Sequence, residues 1–240
     1  MEHISRQATP AGLGPSGRRF GLKTAKSGFY ALAMPSPLTD EQVTLGRERI
    51  RRVAERQAVE RGLERVSMHS IAQELGWTAA ALYRYYANKE AILAATRTAA
   101  LDQLSDRLEA APADCSDVWE RSRRVGAAYV DFALEKPDSY RLIFALSQPD
   151  IRRYPELAAA SARARRNLTA YAADLVALGG LDIEPELLAH VFWAQMHGLI
   201  SLRMAGQLGD DQPSFEAIRR EMTRRIVRSA QSGKADAESP

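Results

Sequence analysis

From Leu38 onward, apolar residues recur at helical spacing along most of the chain. Ile50, Val53, Ala54, Gln57 and Ala58 fall on one face of a 3.6-residue repeat and predict a first helix. Thr39 with Gln42 forms a capping box at its start, and Gly62 stops it. A shorter group follows: Ile71, Ala72 and Leu75, capped by Ser67 and closed by Gly76, a residue that adopts φ > 0 cheaply. Trp77 is an apolar plug for the turn. Thr78 caps a second short helix, Ala79 to Tyr85, with Leu82 and Tyr85 or Tyr86 turned inward. Asn88 caps a longer helix from Lys89 to about Ala110, ending before Pro112. Beyond Asp114 the pattern predicts helices over roughly 117–135, a short one after Pro137, a break at Gln148-Pro149-Asp150, then 155–178, 185–205 and 214–230. No segment reads as a strand and there is no internal repeat, so the fold class is all-α.

Two short helices joined by a glycine turn and followed at once by a long helix form the layout that sets one helix end into the DNA major groove. Ala72, small and placed before the turn, lets the two helices cross closely. The stretch RERIRRVAERQAVERGLERVSM followed by IAQELGWTAAALYRYYANKEAIL resembles the TetR family of bacterial repressors. The matching features are Ile71-Ala72, Gly76, Leu82-Tyr83 and Lys89-Glu90, over about residues 44 to 104. Further on, PDSYRLIF (137–144) and WAQMHGLISLRMAG (193–206) are similar to a TetR subgroup with a Trp, then His-Gly, on its penultimate helix, here Trp193, His197 and Gly198. The resemblance implies a three-helix helix-turn-helix DNA-binding domain over 38–104, with the helix-turn-helix at 67–86. It also implies a C-terminal helical ligand-binding and dimerisation domain over 114–231. Residues 1–37 and 232–240 are expected to be disordered.

Charge changes this picture less than it first suggests. The chain of 240 residues carries a net charge of +3, but residues 1–33 hold five Lys/Arg against one acidic residue, so the other 207 sum to −1. DNA binding therefore rests on local arrangement and not on global charge. Met34 precedes PSPLTDEQ, where TetR-like chains usually begin. Two readings of residues 1–33 stand side by side: translation starting at Met34, or a basic arm adding phosphate contacts. No continuous apolar h-region marks a secretory signal, and no apolar run reaches a membrane span. The single cysteine, Cys115, excludes an intrachain disulfide and fits a reducing cytoplasm.

The resemblance places the DNA-reading face on Thr78, Ala79, Ala80, Tyr83 and Arg84. Thr78 can donate to a phosphate, Tyr83 can bond a phosphate or pack on a thymine methyl, and Arg84 has the fork for guanine or phosphate. Lys89 meets the DNA backbone as a point charge, and Ser67 and His69 are further phosphate candidates. Ala79-Ala80-Ala81 departs from family members with polar residues there, which shifts specificity toward Arg84, thymine contacts and DNA shape. The Arg pairs at 123–124, 152–153, 163–166, 219–220 and 224–225 read as solvated helix faces.

In the C-terminal half, Tyr129, Phe132, Tyr140, Phe144, Tyr171, Phe192, Trp193 and Met196 are candidates to line an apolar ligand cavity, with His197 as a polar anchor. His190 and His197 are seven residues apart and rise about 10 Å from one another, too far to chelate one ion together. No metal and no cofactor is expected. Leu187, Leu188, Val191, Ala194, Leu199 and Leu202, with Phe215, Ile218, Met222, Ile226 and Val227, supply apolar surface for a homodimer. The expected protein is a cytoplasmic, ligand-responsive repressor that binds double-stranded operator DNA as a homodimer, with an unknown small apolar ligand and no membrane partner. The alternatives are an activator or a ligand-independent regulator. Catalysis is disfavoured: there is no G-x-S-x-G elbow, phosphate-binding Gly loop or H-E-x-x-H.

Overall fold

Caps in the sequence set where most of the helices begin. The computed structural model describes residues 37–111, 114–145, 147–208 and 213–237. Among them nine α-helices occur and no strand: α1 (Asp40–Arg61), α2 (Met68–Leu75), α3 (Ala79–Leu82), α4 (Lys89–Ala110), α5 (Val118–Glu135), α6 (Pro137–Ile143), α7 (Pro155–Gly179), α8 (Pro185–Met204) and α9 (Phe215–Ala237). Thr39, Ser67, Thr78, Asn88 and Asp117 each accept a backbone N–H of the helix they open, which satisfies an otherwise orphaned donor. The Gly/Pro-rich stretch expected over 1–37 and the Met34 start fall, apart from Pro37, outside the described residues.

Several elements differ from the sequence expectation, among them a 3-10 turn at Leu63–Arg65. The helix expected over 79–85 is a single turn, because beyond Leu82 the chain tightens: Arg84 N–H bonds to Ala81 C=O (3.3 Å) and Tyr85 N–H to Leu82 C=O (2.9 Å). Burial of Tyr86 and stacking of Tyr85 on Trp77 (5.5 Å between centroids) draw this stretch inward. An unforeseen 3-10 turn at Ile151–Arg153 precedes α7. The last helix runs on to Ala237, past the end expected near Ala230, and residues 238–240 lie outside the described residues.

The first core gathers Ile50, Val53 and Ala54 of α1, Ile71 and Ala72 of α2, Leu82 of α3, and Ile92 and Leu93 of α4. A polar clamp crosses it. Gln57, on the apolar face of α1, is only 1% exposed. Its amide donates to Ser70 C=O (3.1 Å) and to the Glu74 carboxylate (2.6 Å), and its Oε1 accepts from Ser70 Oγ (2.7 Å). Arg56 reaches Glu74 as well. A buried amide with its partners in place fixes α2 against α1 in one register. The turn after α2 is closed by Gly76 at φ 69°, with Trp77 N–H on Ala72 C=O (2.9 Å).

A second core unites Leu101, Leu104 and Leu108 of α4 with Tyr129 and Phe132 of α5, Tyr140 of α6, Leu157 of α7 and Ile200 of α8. A third cluster joins Leu175, Leu188 and Ile226 at the far end of α7, α8 and α9. Arg163 of α7 bonds Asp106 (2.6 Å) and Glu109 (2.5 Å) of α4 and lies 3.6 Å from Asp102. The 163–166 cluster is thus not simply a solvated face: Arg163 ties two helices together. At the start of α4, Glu90 accepts from Arg153 (3.0 Å) and Tyr154 (3.4 Å).

Gly46 of α1 is buried, and the Tyr85 ring fills the space a Cβ there would take. Alanine at 46 gains about 1 kcal/mol of helix propensity but must displace that ring, an overpacking cost of about 1–3 kcal/mol. Gly46→Ala is expected to destabilise the otherwise native protein by about 1 kcal/mol and to stabilise a Tyr85→Ala background. Urea unfolding of the four proteins of this double-mutant cycle checks it; the same sign in both backgrounds contradicts the packing argument.

Candidate DNA-binding surface and ligand cavities

The clamp on α2 and the burial of Leu82 leave one side of α3 outward. Thr78, Ala80, Tyr83 and Arg84 are exposed, and Tyr83 shows 58% of its surface, unusual for a large aromatic without a partner. Thr78 Oγ1 accepts from Ala81 N–H (3.2 Å), which leaves its hydroxyl hydrogen available. Ala79 is half-buried against the first core, so of the two alanines named for reading, Ala80 is the outward one. His69 is exposed on the first turn of α2. Ser67 is half-buried with its hydroxyl engaged in the cap with Ser70, so it offers less to a phosphate than the sequence suggests. Lys89 is half-buried and its ammonium approaches Glu64 C=O (3.4 Å). Tyr86 is core, and Trp77 sits beneath Arg49 (5.0 Å) as a structural plug.

Two partly open cavities lie among the C-terminal helices and α4. The larger, about 640 Å³, lies between α5, α7, α8 and α9 and is lined by Tyr129, Tyr171 and Trp193, with Phe192 and Met196 beside them. Arg123, Arg124, Arg219 and Arg224 also line it, and Glu120, Glu216 and Glu221 already pair with these guanidiniums. The smaller, about 190 Å³, shares Tyr129 and Trp193, adds Phe144, and takes one wall from α4 through Arg97, Leu101 and Leu104. Tyr140 and His197 line neither; they meet Phe144 at an open groove. Phe132 is corrected to core: it is fully buried, its ring lies 5.8 Å from the Arg107 guanidinium, and it lines none of the three spaces.

A chain of hydrogen bonds runs beside the cavities. Trp193 Nε1–H donates to Tyr129 OH (3.0 Å), Tyr129 and Tyr140 hydroxyls bond at 3.1 Å, and Tyr140 OH lies 2.7 Å from His197 Nδ1. With Tyr129 donating to Tyr140 and Tyr140 to a neutral His197, each hydroxyl gives one bond and takes one. Burial pushes the Tyr129 hydroxyl up to about 12 and raises Tyr140 and Tyr171 too, so all three stay protonated. Desolvation lowers His197 below its ordinary value, which favours the acceptor form the chain requires.

Two family matches bear on this architecture. Residues 50–96 match "Bacterial regulatory proteins, tetR family", and residues 122–226 match "Tetracyclin repressor-like, C-terminal domain". The chain belongs to the TetR family. Among solved structures, the TetR family transcriptional regulator PfmR from Thermus thermophilus is 25% identical, with a TM-score of 0.58 over 75% of this chain and 97% of that one. A TetR family transcription regulator from Marinobacter aquaeolei is 24% identical (TM-score 0.62; 78% and 97% covered). The fatty acid degradation regulator FadR from Bacillus halodurans is 13% identical (TM-score 0.61; 75% and 94% covered). The latter two likenesses show the shared fold alone. No curated protein matches. Membership of the TetR family makes this chain a DNA-binding transcriptional regulator. No helix among the described residues is long and apolar enough to cross a membrane.

Sequence reasoning missed Trp119, Leu168 and Arg97 as cavity residues. Arg97 had a legible signal: Leu93, Arg97, Leu101, Leu104 and Leu108 share one helical face, so a cation stands in an otherwise apolar stripe.

His197 gives a pH dependence with a defined sign. Its folded value lies below the ordinary 6.5, so the unfolded chain binds the proton more readily. Its stabilising contribution is complete above about pH 6.5 and declines as pH falls from there through the lower folded value. Chemical denaturation between pH 7.5 and 5 is expected to show a steeper loss of stability for the native sequence than for His197→Gln. Equal slopes contradict the hydrogen-bond chain.

Proposed function

We propose that this TetR-family protein is a ligand-responsive repressor acting as a homodimer on a palindromic operator. The observation that carries this reading is the double use of α4. The helix opens with Lys89 directly after the helix-turn-helix, and about 12 Å further along its axis Arg97, Leu101 and Leu104 wall a cavity. A ligand that prefers one setting of α4 shifts the spacing of two recognition helices and so changes operator affinity. The match to a tetracyclin repressor-like C-terminal domain supports the sign of regulation.

The dimer reading is supported by an unpartnered stripe on α8. Leu187 is 54% and Leu202 49% exposed, and Val191, Ala194 and Gly198 continue the same face between them. Leu188, Leu199 and Ile226 are removed from the expected dimer surface, because each is buried within its own chain. Family regulators bind DNA and act as dimers. A two-fold pair through α8 and α9 presents two α3 ends to two half-sites.

Two outcomes are expected. Purified protein binds its own upstream DNA in a salt-sensitive manner, and Tyr83→Ala combined with Lys89→Ala loses at least tenfold in affinity, with Lys89→Ala alone reducing the salt slope by about 1. Titration by fluorescence anisotropy at several salt concentrations reads this; an unchanged affinity and slope overturn the assigned face. A reporter strain lacking the protein shows higher output for a repressor, and lower output makes it an activator. Separately, Gly198 has open space where a Cβ would sit, so Gly198→Arg is expected to fold yet sediment as a monomer. A dimeric Gly198→Arg protein contradicts the α8 interface.

A further inference from the structure

Many arginines of the C-terminal half are held by carboxylates. Arg163 contacts three carboxylates, and Arg121, Arg152, Arg153, Arg219 and Arg224 each have at least one. Arg97 differs. It is half-buried on α4, and its Nε is enclosed without a hydrogen-bond partner among the described residues. Ser161 of α7, which lines the same small cavity, likewise has an enclosed Oγ with no partner. Unmet donors of this kind cost stability and stand where a ligand completes them.

The lining of the small cavity fits one chemical class. Among the described residues it contains Arg97, Arg165 and His190, the hydroxyls of Ser161 and Thr169, and no carboxylate. The remaining wall is apolar. Arg97 and Ser161 provide donors for a planar anion, and a guanidinium matches a carboxylate in a fork. Burial lowers Arg97 from its ordinary value yet leaves it charged, so an anion compensates a desolvation cost already present. The volume, about 190 Å³, sets the size: a dry cavity of about 150 Å³ is known to hold a benzene ring. A free phosphate would leave the apolar wall unused.

On the reading above that this half of the chain senses a ligand, we propose that the small cavity binds an organic monocarboxylate of roughly benzoate size. Arg97 and Ser161 hold its carboxylate, and Leu101, Leu104 and Phe144 receive its apolar body. The sequence expectation of a small apolar ligand is thereby narrowed to an apolar acid. Its head engages α4 directly, eight residues from Lys89.

The test is calorimetric titration of the full chain, without DNA, using benzoate and phenylacetate and their neutral amides, benzamide and phenylacetamide. At least one acid is expected to bind tenfold or more tightly than its amide. Arg97→Met is expected to abolish that preference, and Arg97→Lys to retain part of it, since charge survives without the fork. Circular dichroism verifies the fold of each variant. If Arg97→Met does not fold, Ser161→Ala replaces it, with an expected loss of threefold or more in acid affinity. Absence of acid binding, equal binding of acid and amide, or acid affinity unchanged in the variants overturns the proposal, the last by placing the acid in the larger cavity. Because DNA is absent, failure of operator binding refutes the regulatory reading without touching this result.

Discussion

One helix belongs to two hydrophobic cores, and the rest of the structure is arranged around that constraint. The first turns of α4 bury Ile92 and Leu93 with the helix-turn-helix, and the next turns bury Ala100, Leu101, Leu104 and Leu108 with α5, α6, α7 and α8. A 22-residue helix is about 33 Å of stiff rod. Close-packed side chains at both ends leave it few places to bend. Charge pairs reinforce the joint, with Arg163 of α7 on the outer carboxylates and Arg153, in the turn before α7, on Glu90. Exposed pairs of this kind add little energy singly, but they hold register over a long contact. A displacement of α4 at one core is therefore felt at the other.

Buried polar groups divide into two kinds, and the division separates scaffold from opportunity. Gln57 has partners for both ends of its amide, and the Trp193, Tyr129, Tyr140 and His197 chain hands one proton to each neighbour. Such satisfied networks specify a single arrangement. Arg97 and Ser161 lack that closure among the described residues, and both residues border the same small cavity.

Much of this was legible along the chain. Capping residues set the starts of α1 to α5, and the inward face of α1, Gln57 included, followed from helical spacing alone. Gly76 announced the turn because φ near 69° suits it. What failed to show were features fixed by distant partners. The brevity of α3 depends on Tyr85 and Tyr86 turning into the fold, a competition that local propensity does not contain. Phe132 and Tyr129 look alike in sequence three positions apart, yet one is sealed in the core and the other borders both cavities. The split of the α8 leucines, 188 and 199 inward with 187 and 202 outward, depends on which side α7 and α9 cover. Of the two arginine roles, the bridge made by Arg163 was hidden by its neighbours 165 and 166, and Arg97 stood in plain view on an apolar stripe.

The short α6 bears on how such a protein can change over evolutionary time. Although it lies in the C-terminal half of the chain, Leu142 is built into the helix-turn-helix core, and Ser139 Oγ bonds Glu55 of α1. The seam between the DNA-binding part and the C-terminal helices is therefore not a point in the sequence. A fragment cut after α4 would take Leu142 out of that core. Recombination that exchanges C-terminal halves between relatives must import an α6 that fits the resident helix-turn-helix, so the two halves diversify as a matched pair and not as interchangeable parts.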